Sequence, residues 1–326
     1  MKAIVVQGSS RQPELVWADA PDPVYGPDEV LVTVKATAVN RADLSQARGN
    51  YPPPPGVTDI LGLEMAGVIV TTGDQVTDWQ VGDRVCALLP GGGYAELATV
   101  PAGLLMPIPE QWDFAQAAAV PEVWLTAFVN LFLEGGLRAG ETVLIHAGAS
   151  GVGTAAIQLA VQAGATPYVT AGSGEKLAAC RELGATLAIN YKREDFLTAV
   201  LAATDGRGVN LILDPVGGNY LERNVRALTE YGRLVNIGLL GGAQGALDMG
   251  LLLRRSLRLV GSRLRPRPLA EKIAITRQFQ ERFWPLLLDG RLRPIIDRHF
   301  PLPEAQAAHA YVAQNRNIGK VILLAP

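Results

Sequence analysis

The sequence contains little cysteine and no excess of charge of either sign. Only Cys86 and Cys180 are present among 326 residues, and two free thiols in a reducing compartment are a simpler interpretation than a disulfide framework. The 29 basic and 31 acidic residues give a formal net charge of −2. Nucleic acid is therefore not an expected partner, because nucleic-acid-binding domains carry a basic surface.

Long apolar runs are also scarce. The N-terminal residues hold too short an apolar stretch for a signal peptide, and we expect no run to reach the roughly 18 residues that a membrane span needs. From these absences we expect a cytoplasmic protein that does not associate with membranes.

Glycine and proline, in contrast, are abundant, with 35 and 22 residues respectively. In the first 120 residues they punctuate short β-branched runs such as 29–35, which predicts a β-rich domain. From about residue 121 short strands alternate with helices, and this alternation ends near residue 265. We therefore predict a nucleotide-binding domain at 121–265, inserted into a domain formed by 1–120 and 266–326.

The inserted segment predicts a parallel sheet covered by helices on both faces. Six strands match a complete doubly wound (Rossmann) α/β domain. The predicted strands are 142–146, 167–171, 187–190, 209–213, 233–237 and 258–262. The predicted helices include 153–163, 175–183 and 193–203, and the tail adds helices at 270–289 and 303–314 and a strand at 320–324.

The turn after the first of these strands has the pattern of a dinucleotide cradle. Gly148 and Gly153 occupy the first and third places of a G-x-G-x-x-G pattern between a strand and a helix. Glycine permits a sharp turn and close approach of the backbone to a pyrophosphate, and the helix N-terminus directs N–H groups at the phosphates. The predicted cofactor contacts in this turn are Gly148, Ala149, Ser150, Gly151 and Val152.

Ser150 departs from the pattern, because it stands where the second glycine is expected. Its hydroxyl could donate a hydrogen bond to a phosphate oxygen or to the nicotinamide amide. Alternatively, it is a small residue that the turn tolerates.

The end of the second strand indicates NADPH rather than NADH. An NAD site usually has an acidic residue there, whereas this chain has Gly172 and Ser173, followed by Lys176. The lysine and the hydroxyl suit a 2′-phosphate, and Tyr191, after the next strand, could join the same pocket. Glu175 argues the other way unless it caps the helix or faces water, and Lys176 could equally be a solvated helix residue.

Several motifs spread along the whole chain are similar to one family. They are 39–43, 49–55, 60–67, 81–85, 146–153, 214–218 and 315–320. Together they resemble the zinc-free quinone oxidoreductase (zeta-crystallin-like) branch of the medium-chain dehydrogenase/reductase superfamily, in which a GroES-like domain accompanies the Rossmann domain. The segments 88–93 and 116–127 look especially like the damage-inducible quinone oxidoreductases of animals.

The resemblance implies that the nicotinamide lies in the cleft between the two domains. The residues that it implies for the cofactor and the cleft are Asn40, Tyr51, Thr126, Ser150, Val216, Gly238, Leu239, Leu264 and Asn315. It also implies a homodimer formed through edge strands of the nucleotide domains.

The resemblance also separates this chain from zinc-dependent relatives, which need a cysteine or its equivalent at Arg41 and a histidine at Leu63. Glu64 remains, but without a partner ligand. The histidines are His146, His299 and His309. They are too scattered to supply four N/S ligands at familiar spacings, so we expect no metal. The first is expected to be a hydrogen-bonded structural residue, and the other two are expected at the surface.

Hydride transfer from NADPH to an electron-poor acceptor is the favoured chemistry without zinc to stabilise an alkoxide. Quinones are the leading acceptors; 2-alkenals or enoyl thioesters are the alternative, which Arg263, Arg265 and Arg267 support as a basic entrance.

Tyr51 is the expected proton donor unless it stacks on nearby prolines, and Asn40 orients the nicotinamide or substrate unless it forms a turn. The candidate catalytic residues are thus Tyr51, Asn40 and Ser150. A non-catalytic NADPH-binding protein, such as a redox sensor, is the remaining hypothesis.

Overall fold

A computed structural model describes residues 1–326. The strands, in chain order, are β1 (Lys2–Ser9), β2 (Gln12–Asp19), β3 (Glu29–Val39), β4 (Glu64–Thr72), β5 (Arg84–Leu88), β6 (Leu97–Pro101), β7 (Leu105–Pro107), β8 (Thr142–Ile145), β9 (Thr166–Ala171), β10 (Leu187–Asn190), β11 (Val209–Asp214), β12 (Leu228–Asn236), β13 (Arg258–Gly261), β14 (Ile296–Pro301) and β15 (Lys320–Leu324). The helices are α1 (Arg41–Ala47), α2 (Phe114–Ala118), α3 (Pro121–Phe128), α4 (Gly151–Gln162), α5 (Gly174–Glu182), α6 (Phe196–Ala203), α7 (Leu221–Ala227), α8 (Met249–Arg254), α9 (Leu269–Leu288) and α10 (Ala305–Ala313). A π-helical segment, Val129–Glu134, continues α3, and short 3₁₀ turns lie at Ala102–Leu104, Gly218–Tyr220 and Leu302–Glu304.

The chain forms two compact units. Met1–Leu125 and Arg265–Pro326 make up the first unit, and Thr126–Leu264 makes up the second. The second unit is therefore an insertion between two segments of the first.

The first unit is built on a seven-stranded sheet in the order β14-β15-β3-β4-β5-β7, with β6 also paired to β3. Its neighbours are antiparallel except β14 and β15, which are parallel. In β3 the buried Val30, Val32 and Val34 alternate with more exposed residues, as in a strand with one face on a core. They pack with Met65 and Ile69 of β4. This confirms the predicted β-rich domain.

The second unit is a parallel six-stranded sheet in the order β10-β9-β8-β11-β12-β13. Counted within the unit this order is 3-2-1-4-5-6, which confirms the doubly wound prediction. Leu144, Ile212 and Leu234 on its central strands are buried in one core. The order reverses between β8 and β11, and ligands of such sheets bind at that point, outside the carboxyl ends of the strands.

The predicted elements agree with the observed ones except near a few ends. β12 begins at Leu228 rather than at residue 233. α6 begins at Phe196 rather than at residue 193, because the carboxylate of Asp195 accepts a hydrogen bond from the N–H of Thr198 at 2.9 Å and so caps the helix there.

The expectation about apolar runs is wrong at one place. The helical stretch Phe114–Glu134 is long enough and apolar enough to cross a membrane by length and composition. Within this stretch, 78% of the most apolar 18-residue segment is buried inside the protein. Such burial is typical of a core helix in a folded domain.

Candidate cofactor and acceptor site

The turn between β8 and α4 is fixed by its own backbone. Ala147 has a left-handed φ of 53°, and the N–H of Gly148 donates to the carbonyl of Thr170 at 2.9 Å, which ties the turn to β9. Ser150 is the N-cap of α4, and its hydroxyl oxygen accepts a hydrogen bond from the N–H of Gly153 at 3.1 Å. The serine that departs from the glycine pattern therefore determines where the helix begins.

Both glycines of the pattern are required by their surroundings. A Cβ atom at Gly148 would lie 2.7 Å from the Cβ of Val169, and one at Gly153 would lie 2.5 Å from the carbonyl oxygen of Ala147. Neither contact is compatible with a side chain, because real Cβ atoms do not approach so closely. The turn therefore lies tightly against its own sheet and helix, as the pattern predicts.

This arrangement fits a pyrophosphate. The first N–H groups of a helix have no partner within the helix, and α4, with twelve residues, is long enough to carry a helix dipole. Ser150 uses the N–H of Gly153, so Gly151 and Val152 are the candidate donors to phosphate oxygens.

The hydroxyl of Tyr191 and the side chain of Lys192 lie against Gly172 at the end of β9, and Ser173 and Lys176 follow in the chain. Ser173 is the N-cap of α5 and accepts a hydrogen bond from the N–H of Lys176 at 3.3 Å. A Cβ atom at Gly172 would lie 2.8 Å from the hydroxyl of Tyr191 and 3.3 Å from Cε of Lys192. The structure therefore places Tyr191 beside Gly172 and adds Lys192, which was not predicted although it directly follows Tyr191.

Glu175, which argued for NADH, is exposed in the first turn of α5. An acidic residue at that position is stabilised by the helix dipole, which accounts for it without a ribose contact. Lys176, in contrast, is partly buried and differs from a fully solvated helix residue.

The loop after β11 is held by the buried carboxylate of Asp214. One oxygen accepts hydrogen bonds from the N–H groups of Val216 at 2.7 Å and Gly217 at 3.2 Å. The other accepts from the side-chain amides of Asn224 at 3.0 Å and Asn236 at 3.4 Å. Sequence reasoning missed both asparagines, because they lie in α7 and β12 and become neighbours of Asp214 only in the folded sheet.

His146 extends this network, as its predicted structural role requires. Its Nε2 donates to the side-chain oxygen of Asn224 at 2.8 Å, since the amide nitrogen of Asn224 is the donor to Asp214. Its Nδ1 then accepts from the hydroxyl of Thr170 at 3.0 Å. Complete burial lowers the pKa of His146, so the ring is neutral in this network.

The loops after β11 and β12 lie against each other. The N–H of Gly241 donates to the carbonyl of Val216 at 2.7 Å, and a Cβ atom at Gly217 would lie 3.0 Å from Leu239 and 3.1 Å from the carbonyl of Gly238. Three predicted cofactor residues are thus neighbours. The buried Thr126 and Leu264 are the first and last residues of this unit, and their cofactor contacts stay predictions.

In the first unit, Asn40 lies in a buried charged cluster. The ammonium of Lys320 lies 2.6 Å from a carboxylate oxygen of Glu64 and donates to the side-chain oxygen of Asn40 at 2.7 Å. The side-chain amide of Asn40 donates to the same Glu64 oxygen at 2.8 Å, and the other Glu64 oxygen accepts from the N–H of Glu122 at 2.8 Å. Both polar atoms of the Asn40 side chain are thus engaged within the cluster, and Asn40 is also the N-cap residue of α1, which favours the turn-forming alternative.

His309 is buried, so its predicted surface position is wrong. It is 6% exposed, and its Nε2 lies 3.1 Å from the hydroxyl of Tyr94, which lies 3.4 Å from Asp43. α10 is amphipathic and turns His309 towards the sheet together with Ala305 and Ala308. His299 is exposed, as predicted.

Tyr51 lies in the proline-rich loop and contacts an arginine from the start of the returning segment. The guanidinium carbon of Arg265 lies 5.2 Å from the centre of the Tyr51 ring. Arg265 also donates to the carbonyl of Tyr51 at 3.4 Å and to that of Pro90 at 2.7 Å. Stacking of Tyr51 on the neighbouring prolines stays a prediction, whereas the contact with the Arg265 guanidinium was not predicted.

Asn315 lies at the end of α10 with a left-handed φ of 53°. Its side-chain oxygen accepts a hydrogen bond from Arg41, which also donates to the carbonyl of Val312 at 2.9 Å. Arg41 stands where zinc-dependent relatives need a cysteine or its equivalent, and here it holds the C-terminal end of α10 in place through these two hydrogen bonds.

The comparisons with known proteins agree with this architecture. The profile of the alcohol dehydrogenase GroES-like domain matches residues 26–110, and that of the zinc-binding dehydrogenases matches residues 151–278. A quinone oxidoreductase of Pseudomonas aeruginosa is 35% identical over 304 residues, which cover 92% of each chain. The chain belongs to the medium-chain dehydrogenase/reductase superfamily, and it is an oxidoreductase of the quinone oxidoreductase-like kind.

Solved structures and larger proteins are similar to this oxidoreductase. The quinone oxidoreductase of Pseudomonas syringae superposes with a TM-score of 0.88 at 30% identity, over 99% of this chain and 100% of that one. The Escherichia coli quinone oxidoreductase in complex with NADPH superposes with a TM-score of 0.86 at 27% identity, over 99% of this chain and 98% of that one. CurK enoyl reductase superposes with a TM-score of 0.84 at 30% identity, over 100% of this chain and 98% of that one.

Polyketide synthases also match this oxidoreductase. The chain is 38% identical over 304 residues to the phenolphthiocerol synthesis polyketide synthase Pks15/1 of Mycobacterium bovis, and it spans 14% of that protein's length. The match covers 91% of this chain, so the resemblance is to one region of a much longer enzyme.

The zinc-binding dehydrogenase family, whose profile matches residues 151–278, is named for a zinc ion that the residues of this oxidoreductase do not fit. No three His, Cys, Asp or Glu side chains lie close enough together to hold a metal ion. Glu64, the remaining acidic residue of that region, is paired with the ammonium of Lys320. A buried carboxylate that is neutralised by a lysine has no charge left for a metal ion.

Proposed function

We propose that this protein is an NADPH-dependent reductase of quinones. The observation that carries the proposal is that the Tyr191 hydroxyl and the Lys192 side chain lie against Gly172 at the end of β9, next to Ser173 and the partly buried Lys176 at the start of α5. Lysine ammonium groups and hydroxyl donors suit a 2′-phosphate, and the glycine turn before α4 suits the adjoining pyrophosphate. The complex of the E. coli relative with NADPH supports the same cofactor.

NADPH supplies a hydride when it is bound. The residues of this chain then have to orient the acceptor and supply a proton, and Tyr51 is our candidate donor. Its ring lies in the first unit, partly exposed, against a guanidinium. Quinones need no Lewis acid, because the reduced ring itself delocalises the negative charge.

A second candidate is reduction of enoyl thioesters, which the similarity to CurK enoyl reductase and to the polyketide synthases favours. The three arginines expected to form a basic entrance for such substrates do not act alike. Arg263 is exposed, Arg265 is buried, and Arg267 is paired with Glu271 at 2.5 Å. One exposed arginine is a weak attraction for a phosphate-rich thioester, so quinones remain the preferred acceptors.

We also propose a homodimer through the edge strand β13. Leu259 on that strand and Leu253 and Met249 on α8 are 36%, 75% and 57% exposed. Exposed apolar side chains beside an unpaired strand edge are typical of an interface. Sedimentation of the wild type and of Leu259→Lys tests this, with a dimer expected for the first and a monomer for the second.

The function is tested by following NADPH oxidation with 1,4-benzoquinone, a 2-alkenal and crotonyl thioester. The proposal expects the highest kcat/KM with the quinone. Much faster turnover of the thioester would replace it with the second candidate. NADPH binding without turnover of any acceptor would indicate the non-catalytic, redox-sensing alternative.

A further inference from the structure

Arg265 is a buried cation whose hydrogen bonds are incomplete. It is 7% exposed. Its Nε donates to the carbonyl of Pro90 at 2.7 Å and its Nη1 to the carbonyl of Tyr51 at 3.4 Å, whereas its Nη2 is buried without a hydrogen-bond partner. A buried donor that makes no hydrogen bond costs free energy, so something other than stability explains why an arginine occupies this place.

The surroundings of Arg265 make the cation still more costly. Burial lowers the pKa of Arg265. Lys272 on α9 lies beside it, with its ammonium 3.5 Å from the Arg265 carbonyl, and both burial and the charge of Arg265 lower the pKa of that lysine. Tyr51 and the buried Asp43 are the groups whose negative forms would stabilise the guanidinium. Of these two, Tyr51 is the one in direct contact.

We propose that Arg265 is the positioning residue of Tyr51, which fixes the ring and favours release of the phenolic proton to the reduced acceptor. The inference rests on the proposed function, in which Tyr51 is the donor. Overall, the acceptor gains a hydride from NADPH and a proton from Tyr51, which leaves NADP⁺. The O–H bond of Tyr51 breaks as one forms on the acceptor, and water returns the proton to the phenolate.

The contacts explain both parts of this role. The two carbonyls that accept from Arg265 lie on separate loops, so a single planar guanidinium fixes the Tyr51 backbone and lies on its ring at once. A cation on the face of an aromatic ring is attracted to it, and a neighbouring positive charge favours the ionised form of an acid. A lysine could supply the charge but not the planar fork.

The first test is a cycle of Tyr51→Phe, Arg265→Met and the double variant, assayed with 1,4-benzoquinone. We expect Arg265→Met to lower kcat by roughly threefold to tenfold, because one unit in the acidity of a proton donor changes the rate by at most tenfold, with little change in the dissociation constant of NADPH. In the Tyr51→Phe background the same change should have almost no further effect. Independent, multiplying losses would overturn the proposal. Arg282→Met is the matched control, because its guanidinium lies 4.8 Å from the Phe283 ring on α9.

The second test needs no turnover. The ultraviolet absorbance of tyrosinate is followed as a function of pH, and subtraction of the Tyr51→Phe curve from the wild-type curve isolates Tyr51. The same subtraction is then made with Arg265→Met present in both proteins, and again with Arg265→Lys present in both. Removal of the charge should move the Tyr51 midpoint to higher pH by about one unit, and lysine should restore part of the shift. An unchanged midpoint overturns the inference even if the wild type reduces quinones. A shifted midpoint in a protein without reductase activity would instead sustain the electrostatic contact and refute the proposed function.

Discussion

The two units build their candidate sites from different materials. In the second unit the cofactor turn consists of backbone N–H groups, glycines and helix caps, and Ser150 and Ser173 each cap a helix through a residue three positions away. In the first unit the site consists of side chains from distant segments. Lys320 and Glu64 are 256 residues apart in sequence, and Arg265 and Tyr51 are 214 apart.

This difference determines how each site fails. A backbone site tolerates changes of surface side chains but not an added Cβ atom where the chain is closely packed. A site of buried charges depends on every partner, because removal of one leaves the other uncompensated. The following substitutions test that contrast.

Lys320→Met should have the largest effect. The ammonium is 3% exposed and its partner Glu64 is fully buried, so the variant leaves a buried carboxylate without its cation. We expect a loss of about 3–5 kcal/mol in the free energy of unfolding, measured by urea denaturation. Adding Glu64→Gln should recover part of that loss.

The control for this pair is Lys2→Met, which removes an exposed ion pair with Asp19 and should change stability little. Equal losses in the two variants would show that burial of the charge does not determine its importance.

Gly153→Ala tests the backbone site. The added Cβ atom would lie 2.5 Å from the carbonyl oxygens of Ala147 and Gly148, and the resulting strain should cost about 1–3 kcal/mol and weaken NADPH binding. Gly174→Ala makes the same change in the first turn of the next helix, where a Cβ atom meets nothing within 4 Å. Calorimetry should therefore show tight binding for Gly174→Ala and weakened binding for Gly153→Ala; the same weakening in both would contradict the steric account.

His309→Gln tests the buried side chains of the first unit through pH. Burial lowers the pKa of His309 to about 4, from 6.5. A lowered folded pKa means that the histidine's contribution to stability is complete above pH 6.5 and is lost as the pH falls towards 4. At pH 5 the loss should be about 1–2 kcal/mol, so the variant should gain stability relative to the wild type as the pH falls.

Asp43 acts in the opposite direction over the same range, since burial raises its pKa to about 6. It is present in both proteins, so the difference in Tm between variant and wild type isolates His309. The exposed His299→Gln is the control, and a difference that does not change with pH would contradict the assignment.

The sequence predicted the second unit well because its signals are local. Strand, glycine turn and helix follow one another within a few residues, and the caps Ser150 and Ser173 lie next to the positions they serve. Tyr191 was predicted from the expected proximity of β10 to β9, and the same reasoning could have included Lys192, which follows it and also lies against Gly172.

The side-chain contacts of the first unit could not be predicted in the same way. No local pattern connects Lys320 with Glu64 or Arg265 with Tyr51, because each pair forms only after the chain has passed through the whole second unit. His309 was placed at the surface for the same reason, since Tyr94, which binds it, is 215 residues away.

The central claim, that the second unit recognises NADPH through Lys176 and Lys192, is tested most directly by calorimetric titration of both cofactors. The wild type should bind NADPH at least about tenfold more tightly than NADH, since a charged hydrogen bond contributes about 1.5–3 kcal/mol. The Lys176→Ala, Lys192→Ala double variant should lose most of that difference while its NADH affinity stays nearly constant. Equal losses for the two cofactors, or a wild type that prefers NADH, would contradict the account.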